Sequence, residues 1–303
     1  MAGTDLSGLR VGVFGKGGSG KSTVTVFLAR ALRELGHAVL VLDADSTNQG
    51  LGAALGADRE PEPLLDYFGG TIFGGGTVTC PVDDPTPLVG AELELDDLPA
   101  RLVARTPEGI ELLAAGKLGP LGPGAGCDGP VAKIARDLRV TQQGRSAVAL
   151  VDYKAGFEDA ARGALTTLDW ALAIVDPTAA ALQMARHLAR MVSEIRRGVP
   201  PATRHLQRPE LADLAVRLFR DSGIRGVLAV LNRVWRPDIQ AHLRAALDGS
   251  GAGVVAAFRH DPAVGEQWLR GERLDSERLM AAARTLACAI ERVARPAAAP
   301  GHA

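Results

Sequence analysis

A glycine-rich segment between an apolar run and an amphipathic stretch constrains the fold more than any other feature of the sequence. Residues 15–22 read Gly-Lys-Gly-Gly-Ser-Gly-Lys-Ser and fit the pattern G-x-x-x-x-G-K-[ST]. The apolar residues 9–14 predict a buried strand, and the periodic apolar positions of residues 24–35 predict a helix. In such a loop the backbone N–H groups curl around phosphate oxygens, along a path that Cβ atoms would obstruct. The sequence therefore predicts a phosphate-binding loop, in which Lys21 reaches the β- and γ-phosphates and Ser22 binds Mg²⁺.

A dinucleotide-binding loop is the alternative that the same residues leave open. Gly15, Gly17 and Gly20 also satisfy G-x-G-x-x-G. The acidic Asp43 follows at the end of the next predicted strand, as a dinucleotide fold requires. A dinucleotide site has no use for a Lys-Ser pair at the helix start or for a further acidic strand end, and this chain has both. We therefore favour the phosphate loop and keep an NAD-dependent oxidoreductase as its rival.

Short apolar runs alternate with helical stretches along the rest of the chain. The predicted strands are residues 38–42, 147–151, 170–175, 227–231 and 254–258, with 110–115 as a weaker candidate. The predicted helices are residues 179–195, 240–247 and 276–293. This alternation predicts an α/β fold in three layers, with a mostly parallel central sheet and helices on both faces. We expect one domain over residues 1–296 and a flexible tail over 297–303. The Gly- and Pro-rich residues 60–105 and 118–130 are predicted surface loops.

Carboxylates follow two of the predicted strands. Asp43 ends the second strand, and Asp152 follows the apolar residues 147–151. Because ligands bind at the carboxyl ends of parallel strands, we expect both carboxylates to lie beside the phosphate loop. Asp43 and Asp152 are therefore predicted to hold Mg²⁺ together with Ser22. Asp45, two residues past the second strand, is a candidate for orienting the water that attacks the γ-phosphate.

Composition excludes several other functions. The 34 Lys and Arg nearly balance the 35 Asp and Glu, so no nucleic-acid partner is expected. The longest apolar run, residues 170–175, is far below the roughly 18 residues that cross a bilayer, and no membrane partner is expected. Three cysteines with no CxxC spacing and no secretory signal predict a cytoplasmic protein without disulfides.

With Lys16 included, the loop resembles the deviant Walker A motif K-G-G-x-G-K-[ST] of MinD, ParA and the nitrogenase iron protein, a class of P-loop NTPases. The resemblance implies a P-loop NTPase fold, ATP as the nucleotide and a homodimer that forms around ATP. It also implies that Lys16 reaches the partner's phosphates and stabilises developing charge, as an arginine finger does. The catalytic residues implied in this way are Lys16, Lys21 and Asp45.

Three further segments resemble the CooC type of this class, the ATPases that mature carbon monoxide dehydrogenase. Residues 43–51 and 152–163 resemble its first and second switches, and residues 126–130 stand where that type carries a Cys-x-Cys metal pair. The resemblance implies a protein client, a metalloenzyme in assembly. This chain has Gly129 in place of the second cysteine, so two copies of Cys127 would have to meet at the dimer axis to hold Zn²⁺ or Ni²⁺. Lys154 replaces an acidic residue that is common in the second switch.

The resemblance also places the nucleotide. Asn232 falls on the asparagine that reads the adenine edge, Arg233 lies beside it, and His260 belongs to a loop that closes over the base. The full predicted nucleotide-binding set is Gly15, Gly17, Gly18, Ser19, Gly20, Lys21, Ser22, Thr23, Asn232, Arg233 and His260. We therefore predict a Mg²⁺-dependent ATPase switch in metalloenzyme maturation, with a positioning ATPase of the ParA or MinD kind as the alternative.

Overall fold

A computed structural model describes residues 4–70, 77–117, 128–201, 206 and 208–295. Within these ranges the strands are β1 (Arg10–Gly15), β2 (Val39–Ala44), β3 (Glu92–Glu94), β4 (Ala104–Arg105), β5 (Ile110–Ala114), β6 (Arg139–Gln142), β7 (Arg145–Ser146), β8 (Val148–Tyr153), β9 (Trp170–Val175), β10 (Gly226–Val234) and β11 (Ala252–Arg259). The α-helices are α1 (Lys21–Glu34), α2 (Leu51–Leu55), α3 (Leu64–Tyr67), α4 (Gly129–Asp137), α5 (Glu158–Ala161), α6 (Ala179–Arg196), α7 (Pro209–Arg220), α8 (Pro237–Leu247), α9 (Pro262–Arg270) and α10 (Glu277–Ala294). Short 3-10 helices cover Leu95–Asp97, Ala100–Leu102 and Ala164–Thr167.

Eight of these strands form a central sheet in the order β11-β10-β9-β1-β8-β2-β5-β4. Every described pairing in it is parallel except the edge pair β4–β5. The inner strands β1, β2 and β8 are buried along their whole length, as expected of parallel strands that are covered on both faces. The predicted mostly parallel α/β sheet is confirmed.

Two apolar cores, one on each face of the sheet, produce the three layers. On one face α1, α2 and α10 pack with Val11 and Phe258 of the strands. On the other face α4, α6 and α8 pack around Phe14 and Tyr153, whose rings stack with centroids 4.7 Å apart. Because successive side chains of a strand point to opposite faces, each apolar strand contributes to both cores.

The expectation of plain loops over residues 60–105 was wrong in part. This region contains α3, β3, β4 and two of the 3-10 helices, and β3 joins β6 and β7 in a separate three-stranded sheet. The loop predicted for residues 118–130 is also wrong at its end, because α4 begins at Gly129. Pro130 is tolerated there since the first turn of a helix needs no N–H donor. Residues 118–127 and the predicted tail, residues 297–303, lie outside the described residues.

The sheet brings the carboxyl ends of its inner strands to one edge. In the register of the central strands, Asp152 of β8 lies opposite Val13 of β1 on one side and Asp43 of β2 on the other. Gly15 ends β1 at the same edge. The glycine-rich loop and the two carboxylates therefore converge where ligands bind in parallel sheets. In the part of the chain that the structure describes, no helix combines the length and the apolar character needed to cross a membrane.

Candidate nucleotide-binding site

The glycine-rich loop connects the end of β1 to the start of α1. Gly18 and Gly20 have φ angles of 77° and 88°, in the left-handed region that glycine adopts without a Cβ penalty. A Cβ at Gly15 would lie 2.5 Å from Ser19 Oγ and 3.0 Å from the Ile174 carbonyl oxygen. The loop is closed by the Ser19 N–H, which donates to the Lys16 carbonyl at 3.1 Å. Glycine is thus required at these positions by backbone conformation and by close packing.

The amino end of α1 is left open for an anion. Its N-cap residue is Gly20, no side chain caps the first turn, and no acidic residue occupies that turn. Uncapped N–H groups and the positive end of the helix dipole favour a negatively charged ligand. The Lys21 side chain begins this helix and is buried. These features together form an anion-binding turn of the kind that holds phosphate groups.

Asp152 is the most unusual group at the site. It is fully buried, and neither carboxylate oxygen receives a well-formed hydrogen bond from the described residues. Burial raises its pKa to about 6, although the nearby Ser22 hydroxyl and Lys21 ammonium lower it. A buried carboxylate without donors is destabilising by itself and becomes favourable beside a cation. Its two oxygens therefore fit a role in holding Mg²⁺, whose preferred ligands in proteins are oxygens.

Asp43 lies opposite Asp152 in the sheet and has a cationic neighbour of its own. Burial and the charge of Asp152 raise the pKa of Asp43 to about 7, although Lys117 lowers it. The Lys117 ammonium donates to Asp43 Oδ2, to the Asp45 carbonyl at 2.8 Å and to the Asn48 carbonyl. Lys117 thereby fixes the loop that follows β2.

Asp45 lies in that loop with one oxygen occupied. Its Oδ1 accepts hydrogen bonds from the Thr47 N–H at 3.0 Å, the Thr47 hydroxyl at 2.6 Å and the Asn48 N–H at 3.2 Å. No described residue donates to Oδ2, and Asp45 lines the pocket above the glycine-rich loop. The arrangement leaves one carboxylate oxygen available to a water in that pocket. The Asn48 amide also donates to Ser22 Oγ at 2.8 Å, which ties this loop to α1.

Lys16 lies at the mouth of the glycine-rich loop. Its ammonium is 3.9 Å from Asp176 Oδ2, and its side chain is 42% exposed. A long, exposed ion pair of this kind contributes about 0–1 kcal/mol, so Lys16 can leave it at little cost. Its predicted reach to a partner's phosphates stays a prediction.

The predicted base-binding residues lie in three different environments. Asn232 is buried, and its amide Nδ2 donates to the Ser19 carbonyl at 2.7 Å, so in this structure it braces the glycine-rich loop. Arg233 is exposed and has a φ of 55°, which is rare for a residue with a Cβ, and it lines the pocket. His260 is exposed and is not among the residues that line the pocket. Adenine recognition by these residues stays a prediction.

Trp268 of α9 reaches the pocket without having been predicted from the sequence. Its indole N–H donates to Thr23 Oγ1 at 2.9 Å, and the residue lines the pocket together with residues of the loop after β2. The pocket measures about 530 Å³ and is lined by Gly18, Lys21, Asp45, Arg233 and Trp268, among others. Lys117 was missed in the same way. The signal for it was available, because it follows the weak strand candidate, now β5, by three residues at the same edge of the sheet.

Transition-metal binding receives no support from the described residues. Cys127 lies outside them. In the ranges that the structure does describe, no group of three or more His, Cys, Asp and Glu side chains is arranged to hold a metal ion. Mg²⁺ at Ser22, Asp43 and Asp152 would accordingly take further ligands from phosphate and water, as is usual for this ion.

Comparisons with known proteins agree with this geometry. The model of the CobQ/CobB/MinD/ParA nucleotide-binding domain matches residues 13–274. An uncharacterized ATP-binding protein of Methanocaldococcus jannaschii is 32% identical over 182 residues, which are 59% of this chain and 72% of that protein. The carbon monoxide dehydrogenase accessory protein CooC of Rhodospirillum rubrum is 29% identical over 189 residues, 62% of this chain and 70% of that protein.

A solved structure shows the same fold. The septum site-determining protein MinD of Pyrococcus horikoshii, complexed with Mg-ADP, aligns with a TM-score of 0.58 at 19% identity. The alignment covers 94% of this chain and 97% of that one. Residues 16–22 and the two switch segments predicted a resemblance to MinD, ParA and CooC, and this prediction is confirmed. The predicted P-loop NTPase fold is confirmed as well.

Proposed function

The chain belongs to the family of CobQ/CobB/MinD/ParA nucleotide-binding domains, and from this we propose that it is a Mg²⁺-dependent ATPase that dimerises around ATP and acts as a switch. One observation carries the proposal: the phosphate-binding turn lies directly beside Asp43 and Asp152, two buried carboxylates. A turn built for phosphate next to the buried, unpaired carboxylate of Asp152 fits a metal-bound triphosphate. A nicotinamide dinucleotide would leave Asp152 without a partner.

Different residues of this chain would have different roles in phosphoryl transfer. The loop N–H groups, the amino end of α1 and Lys21 bind the phosphates and neutralise charge that develops on them. Ser22, Asp43 and Asp152 would hold Mg²⁺, which when bound shields the β- and γ-phosphate oxygens. Asp45 would orient the attacking water through its free oxygen.

Dimerisation would supply the charge that one protomer lacks. Lys16 is exposed, weakly paired and next to the phosphate-binding turn, so a second protomer can recruit it. ATP would favour the closed dimer only as far as it binds that state more tightly than the open one. Hydrolysis would remove that bias and release the partner.

We propose a metalloenzyme in assembly as the client, on the basis of one relative. The match to a carbon monoxide dehydrogenase accessory protein supports maturation, whereas the likeness to MinD concerns the fold. Binding of Zn²⁺ or Ni²⁺ through Cys127 stays a prediction, and metal analysis of the wild type against Cys127→Ser decides it. A cytoplasmic location also stays a prediction.

Nucleotide titrations test the proposal directly. We expect the wild type to bind ATP with Mg²⁺ and to hydrolyse it, to bind NAD poorly, and the Lys21→Ala variant to lose ATP binding. Arg225→Ala is the matched control, since it removes an exposed cation at the opposite edge of the sheet. Wild-type affinity for ATP in Lys21→Ala, or tighter binding of NAD than of ATP, would contradict the proposal.

A further inference from the structure

One carboxylate contacts both loops that follow the site strands. These are the β2–α2 loop, residues 45–50, and the β8–α5 loop, residues 154–157. Ser46 of the first loop donates its hydroxyl to Asp128 Oδ1 at 2.7 Å. Lys154 of the second loop donates its ammonium to Asp128 Oδ2. Among the described residues, no other side chain hydrogen-bonds to both loops.

Asp128 uses its side chain for these two hydrogen bonds and not for capping α4. It is the N-cap residue of α4, where an aspartate ordinarily accepts a hydrogen bond from an N–H of its own helix. Its side chain makes no such bond. Both oxygens are instead committed to residues that are distant in sequence.

The surroundings of Asp128 strengthen its hydrogen bonds to Ser46 and Lys154. Ser46 is buried, and the side chains of Asp128 and Lys154 are only 23% and 36% exposed. Burial alone would raise the pKa of Asp128, but the hydrogen bonds from Lys154 and Ser46 lower it below its ordinary value. Asp128 is therefore ionised at neutral pH, and its bonds to both loops are charge-assisted.

Both partners of Asp128 lie close in sequence to residues of the proposed reaction. Ser46 adjoins Asp45, and Lys154 is two residues from Asp152. The β2–α2 loop is also held by Lys117, whose ammonium donates to the Asp45 and Asn48 carbonyls. The β8–α5 loop contacts the phosphate-binding turn, since the Gly156 N–H donates to the Gly15 carbonyl at 3.0 Å.

We propose that Asp128 is a positioning residue that ties the β2–α2 and β8–α5 loops together, so that Asp45 and the surroundings of Asp152 change position as one unit. The consequence for turnover rests on the proposed ATPase function. The coupling itself does not, because Ser46, Asp128 and Lys154 are already joined in a single protomer.

Hydrogen exchange of the nucleotide-free protein tests the coupling. Lys154→Ala should speed exchange at the Thr47 and Asn48 amides, in the other loop, by about three- to tenfold. Ser46→Ala should speed exchange at the Gly156 amide by a similar factor. Lys154→Arg keeps the ion pair and should restore protection of Thr47 and Asn48. Unchanged exchange at Thr47 and Asn48 in Lys154→Ala would overturn the proposal.

Asp84→Asn is the matched control for these variants. Asp84 pairs with Lys133 of α4, and its side chain is 26% exposed, close to the value for Asp128. It contacts neither loop among the described residues, so Asp84→Asn should leave exchange in both loops unchanged. An equal rise of the exchange rates in Asp84→Asn would show that any weakening of α4 loosens the loops, and the proposal would fail.

Steady-state kinetics test the consequence for turnover. Asp128→Asn should lower kcat by about tenfold with KM for ATP changed less than about twofold, because it disturbs position and leaves the phosphate-binding turn intact. A rise in KM with unchanged kcat would contradict the positioning role. If the wild type hydrolyses no ATP, the proposed function fails alone, and the exchange experiment still decides the coupling.

Discussion

Replacing Asp152 with Asn tests whether the site contains a buried charge that opposes folding. Asp152 is fully buried without donors, and burial raises its pKa to about 6 from the ordinary value of 3.8. A carboxyl with a higher pKa in the folded state is harder to ionise there than in the unfolded chain. Folding stability is therefore lost as the pH rises between these two values, and the loss is complete above about pH 6.

The magnitude follows from the size of the shift. A shift of about two units corresponds to about 3 kcal/mol, at about 1.36 kcal/mol per unit. Asn keeps the shape of Asp152 and carries no charge. We expect Asp152→Asn to raise the free energy of unfolding of the nucleotide-free protein by up to about 3 kcal/mol at pH 8 and by about half as much at pH 5.

Urea denaturation without Mg²⁺ and nucleotide, at both pH values, measures this difference. Asp248→Asn is the control because Asp248 is exposed, and its effect should stay within about 0.5 kcal/mol. Loss of stability in Asp152→Asn at pH 8, or an equal gain at both pH values, would refute the reasoning. The stabilised variant should also gain less stability than the wild type from added Mg²⁺ and ATP, because the charge that opposes folding is the one that we propose to hold the cation.

Three further substitutions separate the roles of the cations and of Asp45. Lys16→Ala should keep ATP binding to one protomer but lower kcat by about 10³-fold or more. Sedimentation measures the dimer in parallel, and a wild-type kcat would exclude a role of Lys16 in trans. Asp45→Ala should bind ATP, hydrolyse it slowly and accumulate as a dimer, whereas a monomer with normal turnover would argue against water positioning. Lys117→Arg should lower kcat by about tenfold, because a planar guanidinium does not fit three acceptors arranged around a compact ammonium, and unchanged kinetics would disprove this.

The sequence predicted the parts of the site that local pattern determines. A strand, a glycine-rich turn and a helix follow one another within residues 10–34, so the phosphate-binding turn needed no knowledge of the rest of the chain. Asp43 and Asp152 were predictable because the carboxyl ends of parallel strands meet at one edge. The bounds of β9 were predicted without error, since its apolar residues lie within a fully covered sheet.

The remaining contacts depend on packing between distant segments. Trp268 reaches Thr23 across 245 positions of sequence, from a helix in which Val264 is the one buried residue. The start of that helix did carry a signal, since Asp261 before Pro262 is a favoured N-cap pair. The two contacts of Asp128 had no sequence signal, because its partners lie in loops whose positions are set by the sheet.

Lysine usage is a compositional signal that links the missed residues to the predicted ones. The chain has five lysines among its 34 basic residues, so arginine serves nearly everywhere that a cation is needed. Lys16, Lys21, Lys117 and Lys154 all lie at the carboxyl edge of the sheet, beside the phosphate-binding turn or bonded to the loops around it. An ammonium is compact and rotates its three donors freely, whereas a guanidinium is planar and favours fixed two-point contacts. A site whose loops must exchange partners during a reaction cycle favours the group with the less rigid geometry, which is consistent with lysine at these four positions.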